Sequence, residues 1–203
     1  MSLQFTNKQI TWGLFTLAII AYLLPWTVNV GNSLTMGAYD FAEWLSKRPF
    51  DDTSYNTVMI MRGQLILLTA LIMFSLEQPS LTKSWWAIVI TGVILLIAQL
   101  PAPNAILDTN DVNRQQQVYL TGISFIIFLV SLTGFFSRYR NISWLIIAII
   151  GIASTIYALT NAISMMQAYQ LPAQIGVGAI LFILTYIILG MLAIRGLLKS
   201  FRG

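Results

Sequence analysis

TVNVGNSLTMGAYDFAEWLSKRPFDDTSYNT, residues 27–57, decides the fold because it is the only long polar interval before the second of a series of hydrophobic runs. Before it lies the apolar block Ile10 to Trp26, and after it the block Thr57 to Leu76. Further blocks follow at Ser84 to Leu100, Val118 to Phe136, Ile142 to Leu159 and Ala173 to Ile194. Each approaches the roughly 20 apolar residues that cross a bilayer as a helix. The reading is an all-α polytopic transmembrane bundle, with residues 1–203 as a single integral membrane domain. Six spans are expected, at about 9–28, 57–76, 84–100, 118–136, 142–161 and 173–194, or five if the first block stops short of crossing.

Composition agrees. Of the 203 residues 57% are hydrophobic and only 9% are charged, and the mean hydropathy is +0.77. A soluble domain carries roughly 25% charged residues, so most of this surface must face something other than water. The chain has no cysteine and no histidine. That excludes disulfides, thiolate metal sites, imidazole ligation of a metal or haem, and histidine proton relays.

The net charge of +4 does not point to nucleic acid, because the basic residues lie singly or in pairs at the ends of apolar blocks and make no continuous patch. They read instead as topology signals. With the N-terminus inside, Lys8, Lys83, Arg138, Arg140, Arg195, Lys199 and Arg202 fall on the inner side, and Lys47, Arg48, Arg62 and Arg114 on the outer side. Both termini are therefore expected in the cytoplasm, with the longer loops outside. The first block ends in Leu24-Pro25-Trp26 without a small-x-small cleavage pattern, so it is read as a retained span rather than a signal peptide.

Within the opening stretch, residues 35–47 read as a short amphipathic helix at the outer interface. Thr35 is the expected N-cap, Leu34 and Tyr39 a hydrophobic staple, and Pro49 the stop. Phe41, Trp44 and Leu45 share one apolar face, while Asp40, Glu43 and Lys47 lie opposite. So short a helix is marginal alone in water. Either it plugs the outer mouth of the bundle, or its apolar face docks another subunit or a lipidic ligand. Asp51 and Asp52 are adjacent carboxylates without the further oxygens of a calcium loop.

Arg62 is the one charge inside a predicted span, and such groups are snorkelled or paired. Its expected roles are snorkelling to the outer interface, a tether to Asp40, Glu43, Asp51 or Asp52, or an anion site. In the fifth block, Ala148, Gly151, Thr155, Ala158 and Ala162 recur at spacings of three and four. That is a small-residue seam on which another helix packs closely.

No glycine-rich phosphate loop appears, nor a nucleophile matched to an acid–base pair, so a non-enzymatic role is expected. The sequence suggests an accessory or structural subunit of a larger membrane complex, or alternatively a small transporter, channel or carrier for an apolar or lipid-like substrate. Membrane lipids and other integral membrane subunits are the expected partners, and nucleic acid is not. Cofactors stay open, since an apolar groove that holds a pigment or quinone leaves almost no signature.

Overall fold

The computed structural model of the chain describes residues 7–29, 34–46, 52–77, 82–101 and 111–200. In chain order the elements are α1 (Asn7–Leu23), β1 (Thr27–Asn29), β2 (Leu34–Met36), α2 (Ala38–Ser46), α3 (Asp52–Met73), α4 (Lys83–Gln99), α5 (Val112–Leu132), a 3-10 turn (Phe135–Ser137), α6 (Arg140–Ala168), β3 (Gln174–Ile175) and α7 (Val177–Ser200). The result is an all-α bundle with seven α-helices among the described residues.

Local chemistry explains several of the boundaries. The side chain of Thr82 accepts from Trp85 N at the start of α4, and that of Asp111 accepts from Asn113 N and Arg114 N at the start of α5. Both satisfy backbone donors that the first turn leaves orphaned. After α5 the chain turns at Gly134, whose φ of 73° is left-handed, the conformation a helix stop favours glycine for.

Helix α3 is the axis, with α2, α4, α5 and α6 packed around it. Helix α7 lies against α6 on one side and α1 on the other. The core between α1 and α7 is aromatic: Trp26 meets Phe182 at 5.1 Å between ring centroids, and Phe182 meets Tyr186 at 4.8 Å.

Among the described residues the expectation of six spans is corrected to four helices that qualify by length and composition. Helix α3 from Ser54, α5, α6 and α7 are long and apolar enough to cross a membrane. The first and third blocks form α1 and α4, each of only 17 residues. At about 1.5 Å per residue they rise about 25 Å, under the roughly 30 Å hydrocarbon core, so neither qualifies by its own length, although both run lengthwise between the same two ends of the bundle as their neighbours.

Three further departures concern boundaries and strands. Thr35 is not an N-cap: it lies in β2, and α2 begins at Ala38. The carboxylate of Asp40 accepts instead from Gly37 N at 3.2 Å, the half of a capping box in which an acid reaches back over the first turn. The helix of the fourth block begins six residues before the apolar run Val118 to Phe136, at Val112. Three very short strands also form an antiparallel sheet in the order β2-β1-β3, pairing Val28 with both Thr35 and Gln174.

This sheet closes one end of the bundle. Gly176 N donates to Trp26 O at 2.7 Å, and Gly178 N donates to Pro25 O at 2.8 Å. A Cβ on Gly176 would lie 2.3 Å from Pro25 O, and one on Gly178 would lie 2.5 Å from Leu24 O. Only glycine lets the two backbones approach this closely.

Candidate functional site

The sequence-predicted residues gather mainly at the end closed by α2 and the sheet. Arg62 does not snorkel. It is only 5% exposed, and its guanidinium is held from three directions. Nη2 donates to Glu43 Oε1 of α2 at 2.5 Å, while Nη1 donates to Asn113 Oδ1 at 2.6 Å and to Gln116 Oε1 at 3.0 Å on α5. Gln117 Nε2 donates to the same Glu43 oxygen at 2.8 Å, and Gln116 Nε2 donates to Tyr55 O at 3.1 Å. Buried charge persists where such partners satisfy it, and the planar guanidinium suits a fork of acceptors better than an ammonium would.

Of the four acids considered for Arg62, Glu43 is the one in contact. Asp40 is engaged with the start of its own helix. Asp51 and Lys47 lie outside the described residues, and Asp52 is described only as the first residue of α3. Burial, and after it the Glu43 carboxylate, raise the Tyr39 phenol above its ordinary pKa.

The apolar face of α2 is turned inward. Phe41 is fully buried and Leu45 nearly so, covering the end of α3. Trp44 is half-buried, with its ring 5.7 Å from Phe41 and edge-on to Tyr169 at 5.9 Å. The geometry is that of a plug over the bundle rather than a free docking face.

Deeper in the bundle, polar side chains also clasp helix to helix. Gln64 Nε2 of α3 donates to Ser154 Oγ at 2.9 Å, and Thr155 Oγ1 donates to Gln64 Oε1 at 3.3 Å. Gln99 Nε2 of α4 donates to Thr69 Oγ1 at 3.1 Å and Ser124 Oγ donates to Gln99 Oε1 at 2.5 Å, which joins α3, α4 and α5. In lipid each such group needs an internal partner.

All five seam residues of α6, Ala148, Gly151, Thr155, Ala158 and Ala162, are buried. The seam packs within this chain: a Cβ on Gly151 would lie 2.9 Å from the Tyr186 ring of α7, and Gly190 approaches the Ala148 methyl.

The opposite end is open. A cleft of about 410 Å³ is bounded by the first turns of α1, the end of α3, the N-termini of α4 and α6, and the last turns of α7. Arg140, Arg195 and Lys199 line it, with Glu77 as the one acid among the described residues. Its apolar wall includes Trp12, Phe15, Trp85 and Trp144. Arg140 lies 3.6 Å from Glu77 and stacks over Trp144 at 5.5 Å. Neither Arg140 Nε nor Trp85 Nε1 has a hydrogen-bond partner among the described residues, although both atoms are buried.

Sequence reading named the small seam and Arg62 but missed this cleft, whose lining comes from five separated segments. It also missed Asn113, Gln116 and Gln117 as partners of Arg62. Their signal was present: Gln116, Leu120, Ser124, Phe128 and Ser131 are the buried stripe of α5, at helical spacing. Among the described residues no three carboxylates come together to hold a metal. No protein family matches this chain, and neither a curated protein nor a solved structure is found to be similar to it.

Proposed function

We propose that the chain is a non-catalytic integral membrane subunit, structural or accessory, that packs within a larger membrane assembly with both termini in the cytoplasm. One observation carries this reading. Six polar side chains within the apolar helices, Arg62, Gln64, Thr69, Gln99, Ser124 and Thr155, are engaged with neighbouring helices. Polar groups spent on helix association serve a scaffold, whereas a transport path needs them turned towards a passage. The orientation is supported by Lys83, Arg138, Arg140, Arg195 and Lys199 sharing the open end, with the cytoplasm as the side that basic residues favour.

The test is purification from native membranes in mild detergent. Stable co-migration with other membrane polypeptides is expected; a lone monomer or homo-oligomer overturns the subunit reading. A carrier for a lipid-like substrate is the second reading, favoured by the open cleft, and that outcome would support it. Orientation is checked with single cysteines, for which the cysteine-free chain gives no background. Asn56→Cys should react with an impermeant maleimide on intact cells and Ser200→Cys only after permeabilisation; the reverse pattern overturns the assignment.

A further inference from the structure

We propose that the cleft at the open end binds the phosphate-bearing headgroup of an anionic lipid. The inference stands whether the chain acts as a subunit or as a carrier, because it rests on the cleft and on the orientation proposed above.

Charge is the first argument. Three cations, Arg140, Arg195 and Lys199, face one carboxylate. Glu77 does little to neutralise them, since its side chain is 79% exposed and its contact with Arg140 is 3.6 Å long. Exposed pairs of that kind are weak. The N-termini of α4 and α6 open onto the same space and add the positive ends of their helix dipoles.

Hydrogen-bond accounting is the second. Arg140 Nε and Trp85 Nε1 are two of the buried side-chain donors that lack an acceptor among the described residues, and both belong to residues lining the cleft. Leaving such donors unsatisfied costs free energy, and both lack the same thing, an oxygen acceptor. A phosphate supplies several, and its bonds to a guanidinium are charge-assisted.

Shape separates a lipid from a bare anion. Beside the cations stand Trp12, Phe15 and Ile88, a wall that a free phosphate would leave uncovered but that the glycerol and first acyl carbons of a lipid would fill. The volume of about 410 Å³ lies within the roughly 300–1,000 Å³ typical of ligand sites. A basic pocket between membrane helices at the cytoplasmic end is the setting in which anionic headgroups are held.

The experiment is native mass spectrometry of the full chain in mild detergent, titrated with phosphatidylglycerol, phosphatidylcholine, glycerol phosphate or inorganic phosphate. Phosphatidylglycerol should bind at least about tenfold tighter than phosphatidylcholine, and the two soluble phosphates should not displace it at comparable concentration. Arg195→Gln and Lys199→Gln should each weaken it roughly fivefold, the ratio expected per basic residue near an anionic surface. Both side chains are exposed at the end of α7, so folding is not at risk. Trp85→Phe, which keeps a ring and removes the unpaired donor, should also weaken binding. Arg138→Gln, at the same end but outside the cleft lining, should leave it unchanged. Equal affinity for the two lipids, or an Arg138→Gln loss as large as that of Arg195→Gln, overturns the site. Displacement by glycerol phosphate or inorganic phosphate as effective as by the lipid overturns the lipid and leaves a free anion as the ligand.

Discussion

The two ends of the bundle treat charge in opposite ways. At the closed end a single guanidinium, almost out of reach of solvent, is shared among Glu43, Asn113 and Gln116. At the open end three cations surround a cleft with one loosely held carboxylate. In the first arrangement both Nη groups are engaged and Nε alone lacks a partner, so removing a member leaves the others stranded. The second has spare positive charge and spare donors, so removing a member changes what the cleft attracts more than how the protein stands. Charge that stabilises and charge that recruits are thus separated along the bundle axis.

Substitutions at each end should expose that difference, measured as unfolding free energy in one detergent. Arg62→Met should have the largest effect. Breaking a buried ion pair costs about 3–5 kcal/mol; with the Glu43 side chain 32% exposed, screening reduces the expected loss to about 2–3 kcal/mol. Arg62→Lys should recover only part of it, because an ammonium cannot reach acceptors on both α2 and α5 as the fork does. Full recovery by lysine would show that charge alone matters there.

Gly178→Ala comes next. Its Cβ would press on the Leu24 carbonyl, and forced overpacking costs about 1–3 kcal/mol. An unchanged melting curve would mean that the docking of α7 onto the end of α1 is loose. Gln64→Leu should lose less, about 0.6 kcal/mol, since interhelical hydrogen bonds in membranes average about that. Smallest is Arg140→Gln at the open end, expected within about 0.5 kcal/mol because its pair with Glu77 is exposed. A loss there to match Arg62→Met would erase the contrast between the ends.

Much of the closed end was legible in the sequence. Arg62 stood out as a charge inside an apolar run, and Glu43 was among its named partners because both fall near the outer end of the expected topology. The small seam was legible because van der Waals packing in lipid demands small residues at helical spacing. What escaped was decided by length and by distance along the chain. The six-span count treated every apolar block alike, whereas α1 and α4 stop at 17 residues. Strands of two or three residues are too short to show an alternating pattern. The direction in which Phe41 and Leu45 face is set by what packs beneath them, and periodicity gives the existence of a face without its destination. The cleft is a property of five helix ends meeting, and no local pattern encodes such a meeting.

The pairing of Gly176 and Gly178 with Trp26 and Pro25 sets a timetable. The two strands of backbone lie roughly 150 residues apart, so at about 5–20 residues per second the ribosome needs about 8–30 s to deliver the second after the first. Throughout that interval the carbonyls that end α1 have only water or a passing chaperone to answer them. Helix α7 is therefore the one that latches α1, and until it arrives the closed end is not yet closed.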